Sequence, residues 1–156
     1  MWRPATGQDI TAMTAMAVDH FQCEIDDFFT ADPVAYSRNL TRAVVEQFYA
    51  PNTELVMVYY QDTELLAYTW ANIETTAWSD EPMAVVKIAH VAMSLSVRQR
   101  LRLLDQMMSL WRVWCVESGI PVICSTTVRD SQKGFLRLHE RAGYTVRGSF
   151  AYLRLV

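Results

Sequence analysis

Cysteine is scarce and poorly spaced for a structural role. Cys23, Cys115 and Cys124 are an odd number with no C-x-x-C pair, which argues against a disulfide framework or a zinc site and fits a reducing compartment. An excess of positive charge is also missing. Fourteen Lys and Arg stand against 17 Asp and Glu, and a net charge of −3 gives no general attraction to nucleic acid or to anionic lipid, so any polyanion site must be local. No apolar run approaches the roughly 20 residues that cross a bilayer. The opening Met1-Trp2-Arg3-Pro4 lacks a basic region followed by an apolar stretch, so no signal peptide and a cytoplasmic location are expected. No internal period and no long Gly-, Ser- or Pro-rich stretch divides the chain, and residues 1–156 read as a single domain.

What is present is a globular composition, 51% hydrophobic and 20% charged. A chain of this length buries about 70% of the surface its unfolded form exposes, so one core suffices. Trp2 to Ala5 predicts a short strand. Turn and capping chemistry at Gly7-Gln8-Asp9 then opens a helix to about Phe21, with Ile10, Met13, Ala17 and Phe21 as its apolar positions. Asp26, Asp27, Asp32 and Pro33 break it. Helical spacing resumes from Val34 to Tyr49 through Leu40, Val44, Val45 and Phe48, ending at Pro51-Asn52. Glu54–Tyr60 and Leu65–Ile73 flank a polar turn as a hairpin, and Met83–Ser94 is a nearly continuous apolar strand.

Ser96 with Gln99 three places on forms a capping box. It opens a long helix with Val97, Leu101, Leu104, Met108, Trp111 and Cys115 on one face, closed by Gly119 and Pro121. Pro121–Val128 is a further strand. Arg129-Asp130-Ser131 caps a last helix with Phe135, Leu138 and Ala142 buried up to Gly143, and Tyr144–Val146 and Phe150–Leu155 make two final strands. The order is β-α-α-β-β-β-α-β-α-β-β. It predicts an α/β (α+β) fold with a mixed, largely antiparallel sheet of six to seven strands flanked by about four helices.

That order, the opening Arg3-Pro4-Ala5-Thr6-Gly7-Gln8-Asp9-Ile10, and the segment Phe135-Leu136-Arg137-Leu138-His139-Glu140-Arg141-Ala142-Gly143-Tyr144 together resemble the N-acetyltransferase (GNAT) superfamily from end to end. The resemblance implies an acetyl-coenzyme A (acetyl-CoA) co-substrate held where the fourth and fifth strands splay apart, its pyrophosphate on N–H groups opening the third helix. Unpartnered N–H groups and the positive end of the macrodipole suit an anion there. By the resemblance the cofactor lies along Met93, Leu95, Arg98, Gln99, Arg100, Leu101, Arg102 and Leu103, with Gln132 at the start of the late helix. The family's loop glycines are absent: Leu101 and Leu103 stand in their places, and no glycine occurs between Met83 and Ser118. Arg98, Arg100 and Arg102 offer guanidinium groups to a diphosphate, though a solvated helix face carries the same residues.

Acetyl transfer needs a base, an oxyanion contact and an acid for the departing thiolate. Many family members place a Tyr one turn before the late Gly as that acid, and His139 stands there; a half-buried helix histidine is its plainer reading. The fourth strand carries no carboxylate from Lys87 to Met93, and strand alternation puts His90 opposite Lys87, Ala89, Val91 and Met93. Glu74, Asp80 and Glu81 offer a base through water or a solvated turn. Cys124 reads as a core thiol, and no residue pattern suggests a metal.

The resemblance implies an acetyl-CoA-dependent N-acetyltransferase acting on a small-molecule or protein amine, with no membrane or nucleic-acid partner. The alternative is a catalytically degenerate GNAT-fold structural or binding protein. Small GNAT-like proteins of short-tailed bacteriophages, some packaged in the virion, are similar in their degenerate loop, and a host-directed effector falls in the same class. In that case a protein partner and the virion or host cytoplasm are expected. Phe28-Phe29 and the Trp-rich third helix leave a homodimer open.

Overall fold

The computed structural model of the chain describes residues 1–24, 29–127, 132–148, 151 and 153–155. Among them five strands form one sheet in the order β1-β2-β3-β4-β5. They are β1 Trp2–Pro4, β2 Glu54–Gln61, β3 Glu64–Thr76, β4 Ser79–Val91 and β5 Val122–Ser125. All neighbours are antiparallel except β4 and β5, which run parallel. The helices are α1 Ile10–Glu24, α2 Pro33–Tyr49, α3 Val97–Glu117 and α4 Lys133–Arg141.

The expected mixed, largely antiparallel sheet with four helices is therefore the observed one, with fewer strands. Tyr144 to Val146 lies in no strand, because the chain leaves α4 through a left-handed Gly143 (φ +87°) and Tyr144 turns back onto the core. Residues 150 and 152 of the last expected strand are outside the described residues, as is the Arg129-Asp130-Ser131 cap.

Local chemistry explains the boundaries. Thr6, rather than Gly7, caps the first turn: its side chain accepts from Gln8 N–H while the Asp9 carboxylate returns to Thr6 N–H. Arg3 grips the same carboxylate with two bonds of 2.8 Å. Burial opposes ionisation of Asp9, but these donors hold its pKa at about 2. In the β2–β3 hairpin, Asp62 takes φ 53°, a left-handed position that aspartate tolerates. The Ser96–Gln99 capping box forms as expected. Gly119 N–H bonds Val116 O and Ile120 N–H bonds Cys115 O, the paired bonds of a Schellman stop.

Two apolar layers cover the sheet. On one face α1 and α2 bring Ile10, Met13, Leu40 and Ala43 against Val56, Val58, Leu65 and Tyr68. On the other, Leu103, Met107, Trp111, Trp114 and Leu138 meet Leu55, Leu66, Ala71 and Val86. The face of α3 differs in part from the expected stripe: Val97 and Leu101 are 63% and 41% exposed, while Leu103, Met107 and Trp114 are buried in addition. Met108, Trp111 and Cys115 of the expected stripe are buried as well, so the stripe holds from the middle of α3 onward and only its first turns, at Val97 and Leu101, leave the core. In α2, Phe48 is likewise exposed and Ala43 takes the core position.

One buried chain of hydrogen bonds crosses the second layer. Trp111 Nε1 donates to Thr69 Oγ1 at 2.9 Å, and Thr69 Oγ1 donates to Ile88 O at 2.8 Å. It joins α3, β3 and β4 at a bulge: Trp70 pairs with Ile88 and Ala71 with Val86, leaving Lys87 as the extra residue. Thr69→Val keeps the shape and orphans both partners, each worth about 1–3 kcal/mol when buried unpaired. Urea denaturation is expected to show a loss of about 2–4 kcal/mol for Thr69→Val, larger than for Trp111→Phe.

Glu54 is buried at the start of β2 and accepts from Trp70 Nε1 at 2.8 Å. Burial, reinforced by Glu46, pushes its pKa from 4.5 up to about 7 despite the Trp70 bond. The folded chain then holds a proton that the unfolded chain releases. This contribution to stability is complete below pH 4.5 and fades as pH rises toward 7. Thermal melts of Glu54→Gln are expected to lose that decline and to exceed the parent Tm at pH 8, the gap closing at pH 4.

Candidate active site

The parallel β4–β5 pair is short. Met83, Ala84, Val85 and Val86 pair with Val122, Ile123, Cys124 and Ser125, and there β5 ends. β4 continues along β3 through the Lys87 bulge to Val91. The strands therefore part at Val86–Ser125, the splay expected between the fourth and fifth strands. Past this vertex one edge of β4 has lost its partner. Ala92 N–H bonds Leu66 O on β3, so by ladder alternation Ala89 and Val91 turn their N–H and C=O groups to the side β5 has left. Val91 O is taken there by His20 Nε2–H at 2.9 Å, from α1.

At the far end of the opening, residues 92–96 lead from β4 into α3. Met93 is exposed, and Leu95 packs on the α3-side core with its N–H on Ala92 O. Ser96 Oγ accepts from Gln99 N–H, and Gln99 Oε1 accepts from Ser96 N–H. Val97 and Arg98 hold the other N–H groups of the first turn, which helix geometry leaves without an intrahelical partner. Arg98 and Arg102 are exposed. Arg100 is half-buried, and its Nε is buried with no hydrogen-bond partner among the described residues. Leu101 lines the outer flank. Leu103, by contrast, is 6% exposed beneath α3 in the core. A groove of about 900 Å³ starts at Val97 and Arg98 and follows the outer side of α3 past Leu101, Arg102 and Gln106.

The vertex carries the most developed constellation. His139, in the last turn of α4, is 5% exposed and stacks on Phe135 with ring centres 3.8 Å apart. Its Nδ1 lies 2.8 Å from Phe135 O and its Nε2 lies 2.9 Å from Ser125 Oγ. A carbonyl only accepts, so Nδ1 carries the proton, and in the neutral ring Nε2 accepts from the Ser125 hydroxyl. Burial pushes the His139 pKa below 6.5 against the opposing Phe135 bond, so the ring is neutral at pH 7. The Gly143 stop fixes its backbone, with Gly143 N–H on Glu140 O and Tyr144 N–H on His139 O, while Tyr144 sits edge-on to the imidazole at 5.0 Å. Val86, opposite Ser125, belongs to the α3-side core, so Ser125 points to the same side as α4.

The other candidates are dispersed. Gln132 is exposed at the start of α4 and makes no cap bond with its side chain. His90 lies on the opposite face of the sheet, stacked on His20 at 4.3 Å and edge-on to Tyr68. Tyr68 shares a 2.6 Å bond with Tyr36, whose pKa burial pushes up to about 12. Glu74 is ion-paired with Lys87, and Asp80 and Glu81 are exposed. Cys124 is half-buried and its thiol pKa is raised by burial, in keeping with a core cysteine. Among the described residues no cluster of His, Cys, Asp and Glu is placed to hold a metal ion, and no helix is long and apolar enough to cross a membrane.

Ser125 and His20 are absent from the sequence-based candidates. The only sequence signal for Ser125 is the change from apolar Val122-Ile123-Cys124 to Ser125-Thr126-Thr127, where a buried strand turns polar. His20 occupies the place after Met13 and Ala17 on the buried stripe of α1, a polar residue at an apolar position.

No protein-family model and no curated protein matches the sequence. Solved structures do match. A predicted acetyltransferase of Clostridium acetobutylicum, solved with acetyl-CoA, superposes with a TM-score of 0.70 at 13% identity, over 99% of this chain and 96% of that one. The aminoglycoside 6'-N-acetyltransferase AAC(6')-IG of Acinetobacter haemolyticus gives 0.68 at 13% identity, over 99% and 97% of the two chains. AAC(6')-Iy, solved with the bisubstrate analog CoA-S-monomethyl-acetylneamine, gives 0.69 at 13% identity, over 99% and 96%. The splayed strands, the capped third helix and these end-to-end superpositions agree that the chain has the fold of the GNAT acetyltransferases.

Proposed function

We propose that the chain, acting as one unit over residues 1–156, is an acetyl-CoA-dependent N-acetyltransferase. The observation that carries this reading is the opening between β4 and β5, with a proton-handling pair at its vertex and a helix start at its mouth. The five residues of β4 beyond Val86 span about 16 Å at strand rise, a reach comparable with an extended phosphopantetheine arm. The residues present fit such a ligand. Arg100 Nε is a buried donor with no partner among the described residues, and an anion at the helix start would complete it. Leu103 in the core removes one of the two leucines that replace glycine from the path of the ligand, and Leu101 stands on the flank.

On this reading Val97 and Arg98 N–H groups with Arg98, Arg100 and Arg102 hold the diphosphate and 3'-phosphate. Gln99 serves through its capping box. Met93 and Leu95 present backbone to the arm, and Gln132 supplies an amide from α4. Acetyl-CoA supplies the acetyl group as an activated thioester. The Ala89 N–H faces the opening on the vertex side and suits the oxyanion, and His139 is the proton donor to the departing thiolate once its Nε2 has taken up the proton the attacking amine gives up. The acceptor is an amine. The aminoglycoside acetyltransferases of the same fold bear their acceptor class in their names, and they support an amine here without naming which.

Titration calorimetry with acetyl-CoA is expected to show micromolar binding that Arg100→Glu and Arg98→Glu abolish; no binding at millimolar ligand overturns the proposal in favour of a catalytically degenerate scaffold. His139→Gln is expected to lower kcat by about 10²–10⁴-fold, the usual range for a lost acid–base group, with little change in acetyl-CoA affinity.

A further inference from the structure

The end of the sheet away from the opening has a surface of its own character. β2 and β5 begin there, the Ala77-Trp78 turn joins β3 to β4 there, and α2 and α3 end there. The two helix ends are tied by Trp114 Nε1, which donates to Pro51 O at 2.8 Å. The opening lies at the other end, past Val86 and Ser125.

Four large apolar side chains stand out from this end. Phe48 and Tyr49 are each 80% exposed, Trp78 is 88% exposed and Val116 75%. The three rings are the most exposed aromatics among the described residues, and Phe48 and Tyr49 sit edge-on with centres 5.1 Å apart. Local structure does not call for them. A two-residue turn favours small or polar residues and gains nothing from an indole, and α2 makes its core contacts through Leu40 and Ala43. Single exposed apolar side chains are ordinary on a folded chain, whereas several gathered at one end mark an interaction surface.

The charge of this end says what covers it. Stretches 43–54, 74–83 and 113–122 build it, and none of them contains a lysine or an arginine. Glu46, Asp80, Glu81 and Glu117 are exposed in them. The C-termini of α2 and α3 add the negative ends of two macrodipoles. An apolar surface with an acidic rim selects an apolar partner that carries positive charge.

We propose that this end is a docking surface for a basic, apolar segment of a partner protein. Lysine and arginine side chains of the segment lie against the carboxylates and over the open faces of Phe48, Tyr49 and Trp78, which attract cations. Its aliphatic side chains cover Val116 and the ring edges. Nucleic acid and anionic lipid carry the wrong charge for this rim. A second copy set end to end would bring the four carboxylates against their own images, and a copy seated head to tail, with Arg98 and Arg102 on this end, would propagate into an open filament. Because the surface and the opening are at opposite ends, docking does not depend on acetyl-CoA.

The test uses the full chain and a labelled amphipathic helical peptide of leucine and lysine, read by fluorescence anisotropy. The peptide is expected to bind at micromolar concentration and more weakly as salt is raised, while the same peptide with glutamate in place of lysine does not bind. Phe48→Ser with Trp78→Ser, which removes exposed side chains and leaves the core intact, is expected to weaken binding about tenfold or more, as loss of interface aromatics does. Asp80→Lys with Glu117→Lys is expected to weaken it at least as much. Asp19→Lys with Glu64→Lys, the same change of charge away from this end, leaves it unaltered. No binding of the leucine–lysine peptide, or binding that both patch variants retain, overturns the proposal. Phosphatidylserine vesicles that capture the parent chain but not Phe48→Ser with Trp78→Ser overturn it in favour of a membrane. Sedimentation in which the parent chain associates with itself and that variant does not overturns it in favour of a second copy.

Discussion

The hydrogen-bond chain from Trp111 through Thr69 to Ile88 is the constraint on which the site depends. It lies where α3 crosses the sheet and ends on the residue that follows the Lys87 bulge. A bulge sharpens the twist of its strand, and β4 turns away from β5 at this point. One indole and one hydroxyl in the core therefore tie α3 and β3 to β4 at the residue after its bulge, close to where β4 and β5 part.

The two faces of the sheet are unequal partners in this arrangement. The face under α1 and α2 is closed by aromatic rings, with Tyr36, Tyr68, His90 and His20 in one continuous set of contacts. It reaches the opening through the His20 bond to Val91 O. The face under α3 and α4 carries the groups suited to chemistry. Asp105 with Arg141, and Arg112 with Ala142 O, tie those two helices together across the outside of the core.

The fold was legible in the sequence because its signals are local and periodic. The Ser96–Gln99 box, the Gly119 and Gly143 stops and the apolar runs of β2, β3 and β4 each act within a few residues. The site was legible only in part. His139 could be placed by its distance from Gly143, but its partner Ser125 is 14 residues away on another element. Nothing in Val122–Ser125 indicates which strand residue will oppose an imidazole. The α3 stripe was legible in its later turns, at Met108, Trp111 and Cys115, but not the exposure of Val97 and Leu101 or the burial of Leu103, Met107 and Trp114, because spacing alone does not say how far the sheet beneath a helix extends. The bulge at Lys87 was invisible as well, since an extra residue changes register without changing composition.

The ion pair of that same Lys87 with Glu74 has a consequence for chemical labelling of the chain. Lys87 and Lys133 are the only lysines in the sequence, the other basic side chains being arginines that do not accept acyl groups readily. Lys87 sits one residue from the point where β4 and β5 part, and its ammonium lies on the Glu74 carboxylate of β3. An amine-directed label on a Lys133→Arg chain would therefore sit, among side chains, at that point alone and report on the geometry of the sheet there.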